Sequence, residues 1–284
     1  MKKYLIPLLI LIVLTPIAGC IQVDTLIKVN PDGSGVIEET FLMNKAFVQQ
    51  IKAMMQQMTE GQQGEESQKN PESFDIFDEK KLAVRASELG EGVTYLSGSK
   101  IVTDDYEGYR AIYAFKDIQK LRINQNPGEK VPSGPQQGGS EQEVKKEYIT
   151  FIHTKGKPAE LIIKLPADKT KKKSDNVLED DTTTPTNNQR SEEMMAQMKQ
   201  LFEGMKIAFA VEVNGTILET NATHREGSRV TLMELDFGKL IDIAEQFKKF
   251  SQAQQKTLEE TKQFFKDVPG IKVDLNNEIR IKFQ

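Results

Sequence analysis

The feature that most constrains this chain is its single cysteine, Cys20, which stands at the foot of an apolar leader. No disulfide can close within one chain that has one thiol, so the fold must be held by burial and hydrogen bonding alone. Lys2 and Lys3 precede an apolar run from Tyr4 to Val13, broken only by Pro7, and the leader ends in Ile17-Ala18-Gly19-Cys20. A membrane-crossing helix needs ~20 apolar residues. This run is shorter, and the order of charged, apolar and small residues is that of a secretory signal. The sequence therefore predicts removal of residues 1–19 and an extracytoplasmic region over 20–284.

The four residues Ile17-Ala18-Gly19-Cys20 resemble the lipobox of bacterial lipoproteins. That resemblance implies cleavage before Cys20, a diacylglycerol on its thiol and, often, an acyl group on the new N-terminus. Each buried methylene contributes ~0.8 kcal/mol and one chain anchors only marginally, so two or three acyl chains make a durable tether. The expected location is the cell envelope, with the membrane as first partner. Ile21, where sorted lipoproteins carry Asp to stay at the inner membrane, favours the outer one if the host has two. The plainer alternative is an ordinary signal peptide, or an uncleaved anchor, that happens to contain a cysteine.

Without residues 1–19 the chain carries 36 basic and 42 acidic side chains, a net charge of −6. A nucleic-acid binder needs a basic face, so that class is set aside. Hydrophobic residues make up 38% of the chain, diluted by three polar stretches at about 60–73, 124–143 and 167–190 that read as low-complexity linkers.

Between the linkers the pattern is mostly strands and tight turns. Ile21–Val29 and Val36–Met43 flank the turn signal Asn30-Pro31-Asp32-Gly33-Ser34-Gly35 and read as a hairpin. Asn44 is a candidate N-cap for a helix with Phe47, Ile51, Met54, Met55 and Met58 on one face. A second helix is expected from about Asp75 to Leu89, then strands at 93–102, 109–115, 148–153 and 159–165. A third helix is expected from Ser191, with Met194, Met198, Leu201 and Met205 at helical spacing. Strands follow at 206–213, 216–223 and 229–235, the first two across Asn214-Gly215, then a long helix over about 239–268. Two final strands, 271–275 and 278–283, meet across Asn276-Asn277. The expected class is α+β: mainly antiparallel sheet packed against amphipathic helices, with one sheet face wet and two disordered insertions.

The chemistry-bearing candidates are few. Asn30-x-Asp32-x-Ser34 imitates the start of a calcium loop, but position twelve, where a bidentate Glu belongs, is Phe41. A hairpin turn explains it better. Ser97-x-x-Lys100 and Ser174-Asp175-Asn176 follow the order of penicillin-recognising enzymes, yet Ser97 lies in strand-like sequence and no Lys-Thr-Gly follows. His153 and His224, the only histidines, show no metal or catalytic spacing. Two Met-Met-x-x-Met repeats, Met54, Met55, Met58 and Met194, Met195, Met198, have three readings: core packing, an adaptable groove for an apolar ligand, or Cu(I) binding. No catalytic residue, metal or cofactor is expected.

The lipobox, the strand that follows it at once and the Asp32-Gly33-Ser34-Gly35 turn resemble LppM-type envelope lipoproteins. Asn214-Gly215, Asn221-Ala222 and Gly227-x-x-Val230-Thr231 add to the likeness. It covers residues 20–50 and 206–245. The resemblance implies an antiparallel sheet wrapped on a helix and binding of envelope lipids. The leading expectation is a non-enzymatic lipoprotein that binds an apolar ligand, through the six methionines, or an envelope protein. The alternatives are an assembly lipoprotein with no small-molecule site and an unrecognised hydrolase.

Overall fold

The computed structural model describes residues 21–60, 75–124, 147–166, 204–242 and 268–284, with the backbone course alone for 54–60 and 241–242. The expected class holds: α+β, mainly sheet. The first hairpin is β1 (Ile21–Val29) and β2 (Gly35–Asn44), paired in full register from Ile21 with Met43 to Val29 with Gly35. Its turn is chemical as well as steric. The Asp32 carboxylate accepts from the Ser34 backbone N–H at 2.9 Å and hydroxyl at 2.6 Å, and Gly33 takes φ +86°. Asn44 then caps α1 (Lys45–Glu60) by accepting from the Ala46 N–H at 2.9 Å.

Helix α2 (Glu79–Leu89) starts four residues later than the sequence suggests, because Asp78 is its cap and accepts from the Lys80 and Lys81 N–H groups. It buries Leu82, Ala86 and Leu89, one face of a helix. β3 (Thr94–Val102) and β4 (Tyr106–Phe115) follow, with Tyr106, Glu107 and Gly108 inside the strand rather than in the turn. A 3-10 turn at Ile118–Lys120 leads to the short β5 (Ile123–Asn124). Beyond the next gap come β6 (Tyr148–Thr154) and β7 (Ala159–Lys164). Then follow β8 (Lys206–Val213), β9 (Ile217–Thr220), β10 (Arg225–Glu226) and β11 (Arg229–Asp236). The chain closes with α3 (Phe237–Asp242), β12 (Ile271–Val273) and β13 (Glu278–Phe283). The linkers and the helix expected from Ser191 lie outside the described residues, as does most of the stretch expected as a long helix over about 239–268.

Two sheets result. The larger runs β10-β11-β8-β1-β2-β4-β3, with β12 also on β11, and the smaller runs β5-β6-β7-β13-β9. All pairs are antiparallel except β1 with β8, which lie parallel at the centre of the larger sheet. The sheets share one core. Ile27, Ile37, Tyr113 and Val211 from the larger meet Phe151, Leu161, Ile281 and Phe283 from the smaller, with Leu82 and Ala86 of α2 closing one side. The cover expected from helices is thus supplied in large part by a second sheet. Strands β6, β7 and β13 each have an apolar inner row (Ile149, Phe151; Leu161, Ile163; Ile279, Ile281), and three such rows make a face broad enough to bury a sheet.

Two expected hairpins are corrected. Asn214-Gly215 does not return β8 on itself. The Asn214 N–H donates to the Val29 carbonyl at 2.7 Å, extending the parallel ladder by one bond. Thr216 then exchanges backbone bonds with Gln284, and the chain enters the other sheet. Likewise Asn276-Asn277 carries the chain from β12 in the larger sheet to β13 in the smaller. This second crossing is held by Asp274, which accepts from the backbone N–H groups of Thr223 and Asn276 and from the Asn276 side chain. An Asn-Gly pair fixes a sharp bend, but what lies across the bend is decided by which edge has unfilled hydrogen bonds.

Candidate functional site: an apolar cavity beside a buried ion pair

On β2 the inward residues are Ile37, Glu39, Phe41 and Met43, so alternation alone carries a carboxylate into the core. Glu39 is 2% exposed. Across the sheet it pairs with Thr25 of β1 and Ala111 of β4, which also face inward and are buried. From above, Arg85 of α2 meets it with two parallel bonds, Nε to Oε2 at 2.8 Å and Nη2 to Oε1 at 2.9 Å. The fork geometry satisfies both oxygens at once, which a lysine could not do. Burial works against the Arg85 charge, but the attraction of Glu39 outweighs it and pushes the guanidinium pKa above its ordinary value. Burial first, and then the Glu39 charge, push the Tyr109 and Tyr113 hydroxyls well above the usual phenol range. Tyr113 is fully buried and its hydroxyl has no hydrogen-bond partner.

The Thr25–Glu39 row divides the inner face of the larger sheet. On one side lies the inter-sheet core. On the other, Ile21, Val23, Phe41 and Met43 form a second cluster with Val48 of α1, and Phe47, Ile51, Ile76 and Tyr109 pack at its margin.

Near that divide, a cavity of about 80 Å³ opens between the sheets. Val23 and Thr25 of β1, Ile207 and Phe209 of β8, Leu232 and Met233 of β11 and Val273 of β12 form one wall. Ile123, Asn124, Ile149 and Leu165 form the other, and Asp274 sits in the lining. The surface is mainly hydrocarbon. Asp274 accepts three bonds, one from Thr223 and two from Asn276, and Thr25 and Asn124 each have a partner. A mainly hydrocarbon cavity of this kind takes up apolar matter. Its volume is below the ~150 Å³ hole that accepts a benzene ring, so it fits the end of a chain rather than a whole ligand.

The structure places the sequence candidates as follows. Met54, Met55 and Met58 lie on the course of α1, and their side chains are outside the described residues, as are Met194, Met195, Met198, Ser174 and Cys20. None of these six methionines is therefore brought to the cavity by what is described; the one in its wall is Met233. Ser97 stands exposed on β3, and Lys100 beside it points to Asp75 at 3.7 Å. Asp32 belongs to its turn. His153 lies in the seam between the sheets, where a Cβ on Gly33 would come 2.7 Å from its Nδ1. Its Nε2 is buried without a partner. Among the described residues no three His, Cys, Asp or Glu side chains converge as a metal site, and no helix is long and apolar enough to cross a membrane. The Glu39–Arg85 pair escaped the sequence reading. Its signal was present: an acid at the inward phase of an otherwise apolar alternation requires a partner.

No family model and no curated protein matches this sequence. Among solved structures, the folded domain of LppM from Mycobacterium tuberculosis, determined by NMR, aligns with 78% of this chain and 85% of its own length. The identity is 9% and the TM-score 0.27, a likeness too slight to transfer fold detail or function.

Proposed function

We propose that this chain is a lipid-anchored protein of the cell envelope, without catalysis of its own, that holds the apolar end of a lipid-like ligand between its two sheets. The observation that carries the ligand reading is the cavity, whose walls are mainly hydrocarbon. A chain end enters it and a headgroup stays outside. The anchor reading rests on the leader and on Cys20, and it places the first strand one residue from the tether.

The two parts are tested separately. For the ligand, the protein is purified from membranes, extracted with solvent, and the extract is analysed by mass spectrometry. The expected result is an aliphatic lipid at up to one per chain, sharply reduced in Leu165→Trp, which fills the cavity from its rim. An extract without lipid from a folded chain overturns the reading. For the anchor, the mass of the extracted protein itself decides, because covalent acyl groups survive extraction. A chain that still begins at Met1, or a free thiol at Cys20, removes the envelope assignment.

A further inference from the structure

The edges of the two sheets are unlike one another. In the larger sheet β10 has two residues and β12 three, and in the smaller β5 has two and β9 four. Short edges are how proteins avoid pairing with other chains. β3 breaks this pattern. It has nine residues, bonds only to β4, and has no strand on its far side among the described residues. Two of the most exposed apolar side chains of the described residues lie on it, Leu96 at 57% and Val102 at 58%. Its one charge is Lys100, which Asp75 already opposes. A bulge between Tyr95 and Ser97 disturbs the first part, and from Ser97 to Val102 the register is regular.

We propose that this edge pairs antiparallel with the same strand of a second copy, about a two-fold axis through Ser99. Antiparallel partners face the same side of a sheet, so a symmetric pair must be centred on a residue, not between two. Four interior centres are available in the regular part, of which Ile101 pairs only the three residues 100–102. Centring on Lys100 sets two ammonium groups directly opposite, which destabilises the pair. Centring on Gly98 draws the bulge into the ladder. Centring on Ser99 sets Lys100 opposite Gly98 and Ser97 opposite Ile101, with no like charges face to face. Gly98 has no side chain to crowd the incoming lysine, and its inner side is already filled by Tyr95, Phe77 and Leu82. A ladder of the five residues 97–101 buries far less than the ~1,200 Å² of a stable standard interface, so the contact is weak in free solution. Confinement of both copies to one membrane raises their effective concentration and favours it. This inference does not depend on the cavity being occupied.

The test uses the full chain in native membranes. In Ser99→Cys the two thiols lie across the axis, where directly opposed Cα atoms are ~4.5–5.5 Å apart and within disulfide reach. Mild oxidation is expected to give a covalent dimer of Ser99→Cys at a yield well above that of the unsubstituted chain and of Thr154→Cys on the exposed face of β6. A charge swap covers the case of a thiol that cross-links by chance encounter. Ser99→Asp and Ser99→Lys, each alone, are expected to lower co-purification of differently tagged copies by about fivefold. Co-expressing the two restores it, which also shows that both variants fold. The proposal is overturned if Ser99→Cys dimerises no better than its controls, or if it is captured in an adduct of another mass. It is equally overturned if the single-charge variants associate as well as the mixture.

Discussion

Glu38 and Glu39 are neighbours on β2 and live in different solvents. Glu38 faces out. It bonds to Lys28 at 2.6 Å and to Arg110, both partly exposed cations on the flanking strands. Burial works first to raise its pKa, and the hydrogen bonds from Lys28 and Arg110 overcome this and hold the carboxyl below its usual value. Glu39 faces in, is almost wholly buried, and is gripped by the largely buried Arg85. Two side chains of one chemistry, a single residue apart, are thus a solvated network on one face and a fixed clamp on the other. The pleat decides which, because a one-residue step reverses the face of a strand. The clamp also fixes how α2 sits, since its guanidinium has to meet a carboxylate that cannot move.

The contrast breaks most sharply at Arg85. Arg85→Met takes the guanidinium away from the buried Glu39 charge, and loss of one member of a buried pair costs about 3–5 kcal/mol. The expected outcome is a fall of that size in unfolding free energy by denaturant titration. Adding Glu39→Leu to Arg85→Met removes the buried charge and should recover most of the loss, because an apolar pair of similar volume is often as stable. If the double variant is as weak as the single, the clamp contributes packing rather than charge compensation, and the comparison of the two glutamates loses its meaning.

A smaller effect is expected at His153, a third polar group that is buried but lacks a full set of partners. Burial, and then the nearby Lys155 charge, push its imidazole below the ordinary 6.5, while Asp117, Asp32 and a hydrogen bond to the Pro31 backbone oppose the shift without cancelling it. The folded state therefore takes a proton less readily than the unfolded chain. As pH falls below about 6.5 the unfolded state is protonated first and gains, so stability declines until the folded imidazole titrates too. Melting temperature measured between pH 7.5 and 5.5 should fall in the native chain and stay flatter in His153→Asn. A native profile as flat as that of the variant would mean the seam between the sheets opens to water at this point.

How much of this was legible beforehand differs from element to element. The first hairpin was plain because Pro31, Asp32, Gly33 and Gly35 mark a turn by local chemistry and the flanking strands pair with each other. Local chemistry marked Asn214-Gly215 equally well and misled, because β8 takes β1 and β11 as neighbours and leaves β9 to the smaller sheet. Pairing across 180 residues has no signature in a window of ten. The inner row of β2 could be read from alternation, but that Arg85 answers Glu39 depends on where α2 docks. The apolar cavity was the least legible. Its walls come from residues far apart in the chain, on β1, β5, β6, β8, β11 and β12.

The smallest effect is expected at Glu38, and it is the more discriminating for that. Glu38→Gln removes the charge that Lys28 and Arg110 share, yet water remains at hand for both cations. Ion pairs of this exposure contribute ~0.2–1 kcal/mol, so the denaturation midpoint should move only slightly. The pH dependence has the same sense as that of His153 but lies at lower pH. Because the folded carboxyl is held below 4.5, its contribution is complete above that value and is lost as pH falls through the lowered one. Raising salt should screen the native network and bring its stability toward that of Glu38→Gln, while the Glu39–Arg85 clamp, shielded from ions, should respond much less. Equal salt sensitivity of Glu38→Gln and Arg85→Met, each against the native chain, would show that the pleat does not separate two environments, and that the row through Glu39 is wetted in the folded protein.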